Sequence, residues 1–250
     1  KPREGFIRKS LHSNVQPVFC YALNQPTIVK RRFVDESNYA KFFEEHEFSK
    51  EFLPSSEEER VRKYLEKNLG KYDLVIAIDY GHGFLSKKLI DTIVFNSKFL
   101  ALNAQTNSGN VGFNYITKYP RADYICLDEL EARLATHDEI GDIEQILKNS
   151  LYAKLKPKKM VVTLGQRGSL AYEKGSGFVR TPAIPTNVTD PIGAGDAFLG
   201  ISAPCAAAGL SLDLVAFMGG VASSVAVGIL GNKTSVKRDD LFRVMGSLLG

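Results

Sequence analysis

From residue 57 onward, short apolar runs alternate with stretches whose apolar residues recur at helical spacing. A continuous apolar run is typical of a strand buried on both faces of a parallel sheet, and helical spacing is typical of an amphipathic helix. The runs predict strands at 74–78, 98–103, 123–127 and 159–164. The stretches between them predict helices at 57–69, 86–94, 128–134 and 139–156. This alternation predicts an α/β fold: a doubly wound, mostly parallel sheet with helices on both faces.

Two hairpins are predicted in addition. One joins strands 169–174 and 177–181 around Gly175-Ser176. The other joins strands 18–23 and 27–34 through turn residues at 24–26, and residues 15–34 would form a partial, small β lid. The charged residues 35–60, with interleaved phenylalanines, are either a mobile lid or connecting segment or an inserted linker.

The stretch from Asp190 to Phe198 carries the strongest chemical signal. Gly193 and Gly195 leave the backbone open where a helix is predicted to begin. Bare N–H groups at a helix start, with the positive end of the helix dipole behind them, form an anion site. Asp196 would lie beside a bound anion, where it could take a proton from an attacking hydroxyl. A Gly-x-Gly pair alone is usually a turn, but an anion cradle next to a base indicates phosphoryl transfer.

Composition narrows the class of protein. The 250 residues are 44% hydrophobic and carry a net charge of +4 that is spread along the chain, so no basic face predicts nucleic acid as a partner. No apolar run approaches the roughly 20 residues of a membrane span. The three cysteines, Cys20, Cys126 and Cys205, lie far apart among apolar neighbours, which is typical of reduced thiols in the cytosol. We therefore expect a cytoplasmic protein without a membrane partner.

The segment from Asp190 to Asp196 resembles the Asp-Thr-x-Gly-Ala-Gly-Asp signature of the ribokinase (PfkB) family of carbohydrate kinases. Residues 161–169 resemble the strand–turn–strand that precedes this signature. The resemblance implies an ATP-dependent kinase in which Asp196 is the base. The amides at Gly193, Ala194 and Gly195 and at Asp196 itself would hold the charge on the transferred phosphoryl group. Pro191 departs from the pattern, since the family usually has Thr there.

The resemblance also implies a place for nucleotide and magnesium. Asp128 and Glu131 match an Asn-x-x-Glu motif that organises magnesium on the nucleotide phosphates, with Asp in place of Asn. The alternative for this pair is an N-cap Asp followed by a solvated Glu. A monovalent cation is implied near Asp190. The residues implied to line the nucleotide are Thr163, Gly165, Gly168 and Asn232.

Substrate residues are implied by a more local resemblance, to the heptose-phosphate kinase branch of the family. Lys30 and Arg32 share one face of a strand and match its Thr-x-x-Lys-x-Arg segment, which predicts a sugar-phosphate contact. A solvated edge strand blunted by charge is the equal alternative. Asp79, at a strand end, opens a match to Asp-Tyr-x-Lys-Gly in which His82 replaces Lys. Asn103, at the next strand end, completes the predicted substrate residues.

As one unit, residues 1–250 would be a single ribokinase-like domain that lacks the N-terminal segment in which the family carries a Gly-Gly sugar-binding motif. The alternative is a catalytically weak or inactive nucleotide-binding module of a longer protein. A dinucleotide-dependent oxidoreductase is the weaker rival, because no Gly-x-Gly-x-x-Gly follows an early strand. The expected partner is a sugar or sugar phosphate; a homodimer through the lid and fusion to another domain both stay open.

Overall fold

The computed structural model describes residues 3–22, 25–35, 41–47, 49, 51–107, 109, 110 and 112–250. The strands are β1 (Val29–Val34), β2 (Lys41–Glu47), β3 (Val75–Asp79), β4 (Leu100–Ala104), β5 (Tyr124–Asp128), β6 (Lys159–Thr163), β7 (Ser169–Glu173) and β8 (Gly177–Thr181). The helices are α1 (Glu4–Ser10), α2 (Ser55–Asn68), α3 (Lys87–Asn96), α4 (Glu129–Thr136), α5 (Ile143–Gln145), α6 (Ala153–Leu155), α7 (Ala194–Ala207), α8 (Leu212–Ala226) and α9 (Arg238–Leu249). A π-helix, Ile146–Tyr152, joins α5 to α6. No helix within these ranges is both long and apolar enough to cross a membrane.

Strands β3 to β8 form one six-stranded sheet whose spatial order follows the chain. Strands β3 to β6 are parallel neighbours, and β7 and β8 continue the sheet antiparallel. Each of the four apolar runs in the sequence is one of the parallel strands, and the predicted hairpin after residue 168 is β7–β8. The mostly parallel sheet is therefore confirmed.

Helices cover both faces of this sheet, as the alternation of elements predicts. On β5, Ile125 and Leu127 point to the side where α3, α4 and the helical segment 143–155 pack. Tyr124 and Cys126 point to the opposite side, against α7 and α8. Helices α7 and α8 approach each other closely because α8 has Gly219, where a Cβ would lie 2.4 Å from the ring of Phe198 in α7.

Strands β1 and β2 form a separate antiparallel pair, which we call the lid because β1 lies in the segment predicted to form it. Phe33 stacks on Phe43 with 4.2 Å between ring centroids, and Arg32 Nε donates to Glu44 at 2.9 Å. Cross-strand aromatic and charged pairs of this kind stabilise a two-stranded ribbon. The strands hold together without a continuous apolar face.

This pairing corrects two expectations. Residues 18–22 form no strand, so the lid is not a hairpin within 15–34. Residues 41–47, expected in a mobile, connecting or inserted segment, are the strand that pairs with β1. Most positions of β2 are charged, so its sequence lacks the apolar alternation of a strand. Arginines of β1 supply the opposite charges. The remaining parts of these predictions fall on Leu23, Asn24, residues 36–40, Phe48 and Lys50, which lie outside the described residues.

Candidate active site

A cavity of about 500 Å³ lies where the parallel strands end, between the first residues of α4 and α7 and next to β1. Open α/β sheets place their ligands at this edge. The cavity brings together most of the residues that the sequence assigns to chemistry: Lys30, Arg32, Asn103, Asp128, Glu131, Thr163, Gly193, Gly195, Asp196 and Asn232. The others do not line it: Asp79, Gly165, Gly168 and Ala194.

Helix α7 begins without a side-chain cap among the described residues. Gly193 is its N-cap residue, with φ of +90°. The N–H groups of the first turn of a helix have no acceptor inside the helix, and the helix dipole adds positive potential there. The start of α7 therefore offers backbone donors to an anion in the cavity.

Gly193 and Gly195 differ in backbone conformation and in the space around them. Gly193 has a left-handed backbone, and a Cβ there would lie 2.5 Å from Asn232 Oδ1. Gly195 has no positive φ, and a Cβ there would meet no protein atom within 4 Å. Since Gly195 lines the cavity, that Cβ would occupy space that is open for a ligand. A side chain would be strained at the first glycine, whereas the second leaves the space beside it open.

Asp196 lies in the first turn of α7 with both carboxylate oxygens engaged. Gln105 Nε2 donates to Oδ1 at 2.8 Å, and the Tyr80 hydroxyl donates to Oδ2 at 3.4 Å. Burial raises the pKa of Asp196, against the hydrogen bonds of Tyr80 and Gln105 and the charge of Lys30, which lower it. A carboxylate held in this way is ready to accept a proton from a bound hydroxyl.

At the start of α4, Asp128 and Glu131 form a capping box. Asp128 Oδ1 accepts from the Glu131 N–H at 2.7 Å, and Glu131 Oε2 accepts from the Asp128 N–H at 2.9 Å. The Thr106 N–H donates to Glu131 Oε1 at 3.1 Å. Burial and the neighbouring Asp128 raise the pKa of Glu131 to about 7. Asp128 is thus an N-cap, as in the alternative for this pair, but Glu131 is buried rather than solvated. The magnesium role stays a prediction.

Asn103 lies between β5 and the Glu131 carboxylate. Its Nδ2 donates to the Cys126 carbonyl at 2.9 Å and to Glu131 Oε2 at 3.3 Å. Its Oδ1 is buried and finds no hydrogen-bond partner among the residues that the structure describes. A buried acceptor of this kind calls for a donor such as an ordered water. We find no group of three or more His, Cys, Asp or Glu side chains arranged for a metal in the described ranges.

On the lid side, Lys30 and Arg32 both line the cavity, but their surroundings differ. Lys30 Nζ lies 5.8 Å from the centroid of the Tyr80 ring, whereas Arg32 is paired with Glu44 across the lid. His82 also lines the cavity. Burial, together with the neighbouring Lys30 and His46, lowers the pKa of His82. Lys30 is therefore better placed than Arg32 to meet an anionic substrate.

Asp79 does not line the cavity, and its substrate role stays a prediction. Its side chain is buried and accepts from the Gly81 N–H at 2.9 Å and the Tyr119 hydroxyl at 2.7 Å. Lys118 Nζ lies 2.5 Å from its second oxygen. Asp79 thus holds the start of the loop after β3 from the buried side, through its bond to the Gly81 N–H.

Two of the four residues predicted to line the nucleotide lie at the cavity, and two do not. Thr163 and Asn232 line the cavity, whereas Gly165 and Gly168 line neither cavity described here. Gly168 has a φ of +82°, and a Cβ there would lie 2.0 Å from the Thr181 carbonyl oxygen, so its role is in chain packing. Asp190 Oδ1 accepts from the Ile192 N–H and Oδ2 from the Gly231 N–H, each at 3.0 Å.

A second cavity, of about 450 Å³, adjoins the first at Gly193 and Asn232. Its walls are small and apolar residues of α7 and α8 and the loop before α9: Ala197, Gly200, Ile201, Ala226, Ile229 and Val236. A flat aromatic group would fit such walls, while an attached anion would reach the start of α7.

Sequence reasoning missed Tyr80, Gln105 and Thr106. Tyr80 directly follows β3, and the other two follow β4. The rule that open α/β sheets bind ligands at the carboxyl ends of their strands also applies to the residues that directly follow β3 and β4. That signal was present, but it does not tell which of them points to Asp196.

The chain belongs to the pfkB family of carbohydrate kinases, since the model of that family matches residues 12–238. The expected family is thereby confirmed.

Among curated relatives, the bifunctional protein HldE of Wolinella succinogenes is 30% identical over 186 residues, which cover 73% of this chain and 38% of that protein. HldE of Citrifermentans bemidjiense is 25% identical over 188 residues, which cover 74% of this chain and 38% of that protein. HldE of a Nitratiruptor species is 27% identical over 214 residues, which cover 85% and 44%. The chain spans about two fifths of the length of these relatives.

Solved structures share the fold. Phosphofructokinase-2 from Escherichia coli in complex with potassium superposes with a TM-score of 0.67 at 16% identity, over 83% of this chain and 67% of that chain. Ribokinase from Thermotoga maritima gives a TM-score of 0.67 at 18% identity, over 89% and 70%. The ribokinase-like fold is confirmed.

Proposed function

We propose that this protein transfers the γ-phosphoryl group of ATP to a hydroxyl of a sugar or sugar phosphate. The observation that carries the proposal is the Asp196 carboxylate at the uncapped start of α7, inside a cavity with a second cavity beside it. Membership of a carbohydrate kinase family supports it.

The start of α7 would hold the transferred group. The donors of its first turn are the N–H groups of Ala194, Gly195 and Asp196, of which the Ala194 N–H makes a long bond of 3.4 Å to the Pro191 carbonyl. The space above Gly195 is open. Donors fixed in place before the reaction stabilise charge that develops in the transition state without having to reorganise. In phosphoryl transfer, such positioning and charge stabilisation supply most of the catalysis.

Asp196 would take the proton of the sugar hydroxyl. As the sugar oxygen bonds to the γ-phosphorus, the bond from that phosphorus to the bridging oxygen of ADP breaks. The proton passes to the Asp196 carboxylate, and the electron pair of the broken bond leaves with ADP. Burial of Asp196, which raises its pKa, makes it a stronger base than an exposed aspartate.

Magnesium on the nucleotide would lie on the α4 side of the cavity. Asn103 and Glu131 would hold its water ligands, since Asn103 Oδ1 is an acceptor without a partner in the described residues. Asp128 is engaged in the cap and would act on the ion through its charge alone. Bound magnesium neutralises phosphate charge in this reaction. We also propose a monovalent cation near Asp190, as in the resemblance.

The adenine would occupy the second cavity, against the small residues of α7 and α8. Asn232 lies between the two cavities, and the phosphates would pass it on the way to Gly193. Thr163 would border the nucleotide from β6. This arrangement sets the nucleotide and the sugar on opposite sides of the start of α7.

An anionic sugar suits the lid side better than a neutral one. Lys30, Arg32 and His82 line this wall, and the resemblance of residues 27–32 and 79–83 to the heptose-phosphate kinase branch supports a sugar phosphate. Lys30→Ala should weaken the sugar phosphate more than the neutral sugar. Arg32→Ala should have the smaller effect, because Glu44 already neutralises this side chain. Equal losses for both sugars would show that these residues only shape the lid.

The function is tested by supplying the full-length protein with Mg-ATP and a panel of sugars and sugar phosphates. ADP release measures turnover, and thermal shift measures binding of each compound with and without Mg-ATP. We expect turnover with at least one anionic sugar. Stabilisation by Mg-ATP without turnover on any sugar would favour the alternative, a nucleotide-binding module without kinase activity, which the engaged Asp128 and Glu131 carboxylates make the second candidate.

A further inference from the structure

The two side chains that hold Asp196 do so unequally. Gln105 Nε2 donates to Oδ1 at 2.8 Å, which is the length of a good hydrogen bond. The Tyr80 hydroxyl donates to Oδ2 at 3.4 Å, which is long for a hydroxyl donor. The two oxygens of the carboxylate are therefore held with different strength.

Gln105 is fixed through its own backbone. Its N–H donates to the Asp79 carbonyl at 2.8 Å. Its carbonyl accepts from Asn110 Nδ2 at 3.2 Å and from Asn114 Nδ2 at 3.1 Å. The residue is thus tied through its N–H to the last residue of β3 and through its carbonyl to its own loop after β4. The side chain that it sends to Asp196 starts from a rigid base.

Tyr80 is less constrained at its ring. The residue is 39% exposed, and its ring lies on the wall of the cavity with Lys30 Nζ nearby. A ring on an open wall can turn aside when a ligand arrives, whereas a buried ring cannot. The long bond to Oδ2 is the one that a ligand would replace.

We propose that Gln105 is a positioning residue, which keeps Oδ1 of Asp196 and leaves Oδ2 to the sugar hydroxyl. The hydroxyl displaces the Tyr80 hydroxyl on binding and then gives its proton to Oδ2 as its oxygen bonds to the γ-phosphorus and ADP leaves. This inference rests on the proposed function. Neither Gln105 nor Tyr80 belongs to the signature that identifies the base.

The exchange predicts that the two donors act at different stages. A hydrogen bond to the charged form lowers the pKa of a carboxyl group. Both donors act on Asp196 in the free protein, but only Gln105 would still act once the sugar is bound. The titratable groups around Asp196 are Lys30 from β1, Tyr80 after β3 and Cys126 from β5, and the variants below leave Lys30 and Cys126 unchanged.

Gln105→Met and Tyr80→Phe test this, each removing one donor at nearly constant size. The pH dependence of kcat/KM reports the free enzyme and that of kcat reports the complex. Gln105→Met should raise the pKa of the acid limb by about one pH unit or more in both profiles. Tyr80→Phe should raise it only in kcat/KM. Tyr119→Phe, which removes a hydroxyl that donates to Asp79 instead, should move neither.

Unchanged profiles for Gln105→Met, or a shifted kcat profile for Tyr80→Phe, would overturn the assignment. The carboxyl carbon of Asp196, followed by NMR and identified with Asp196→Asn, reports the same pKa directly. That titration needs no turnover, so a protein without kinase activity would reject the proposed function while the contact with Gln105 is still tested. A titration of Asp196 that does not respond to Gln105→Met would reject the contact itself.

Discussion

Two helices begin at the same edge of the sheet, α4 and α7, and the cavity lies between them. Helix α4 is sealed by its own side chains, since Asp128 and Glu131 accept from each other's N–H groups. Helix α7 starts at Gly193 and has no side-chain cap in the described part of the chain. Both carry the same dipole, but only α7 leaves its first N–H groups for a ligand. Of these two helices, α7 is therefore the candidate for an anion site, because its uncapped start faces the cavity.

The buried acids of the two helices, Glu131 in α4 and Asp196 in α7, differ in the donors that hold them. Both Glu131 and Asp196 have a pKa raised by burial. Glu131 accepts from two backbone N–H groups and from Asn103 Nδ2, whereas Asp196 accepts from two side chains. Backbone donors cannot leave without moving the chain, while side-chain donors can give way to a substrate. Glu131 is therefore held by the chain itself, whereas Asp196 can exchange its bond to Tyr80 for one to a ligand.

The largest expected effect is on turnover. Asp196→Asn should lower kcat by on the order of 10²–10⁴, because the amide cannot take the proton. Its fold and its affinity for Mg-ATP should stay near those of the unchanged protein, as measured by thermal melting and nucleotide titration. ADP release at a normal rate would remove Asp196 from the mechanism.

The two glycines of α7 should separate folding from binding. Gly195→Ala should melt normally, since its Cβ meets open space, yet weaken ATP on the order of tenfold or more by filling the cradle. Gly193→Ala should instead lower the melting temperature, because φ is +90° and its Cβ would approach Asn232. Nucleotide titration and thermal melting measure the two effects. ATP affinity that survives in Gly195→Ala would mean that no phosphate lies there.

Glu131 should give α4 a pH-dependent stability. Its pKa is about 7 in the folded protein, against 4.5 ordinarily, so the folded state holds the proton more tightly. Stability from this group is present below about pH 4.5 and lost as pH rises toward 7. The stability advantage of the unchanged protein over Glu131→Gln, measured by urea denaturation, should therefore shrink across this range. A constant difference would show that Glu131 is charged throughout.

The smallest expected effect is at the cap itself. Asp128→Ala should reduce the free energy of unfolding by about 1 kcal/mol, the usual worth of an N-cap. Asp128→Asn should stay close to the unchanged protein, since Asn caps equally well. Urea denaturation of both variants checks this. If Asp128→Ala loses nothing, the capping box does not stabilise α4.

Much of the fold could be predicted because burial leaves a local trace. The apolar run at 74–78 lies within one residue of β3, and the turn at Gly175-Ser176 joins β7 to β8. The lid could not be predicted in the same way. Strand β2 is held by charges on β1, and a charged stretch has no apolar alternation to count.

The site divides along similar lines. The start of α7 was predictable because its glycines and acid are adjacent in sequence. Gln105 and Tyr80 were not, since their contacts to Asp196 span 91 and 116 residues. Asp79 shows a further limit, because a strand end places a residue at the ligand edge without saying whether it faces the cavity or the core.

The lid ribbon has a consequence for how the molecule exchanges its amide hydrogens. The Arg31 side chain and its partner Glu45 are both more than half exposed, and the pair Phe33 and Phe43 is exposed as well. A two-stranded ribbon with little buried apolar surface opens at a free energy far below that of the whole domain. Its amides should therefore exchange with deuterium long before those of β5, and a bound sugar would slow them by holding the ribbon shut.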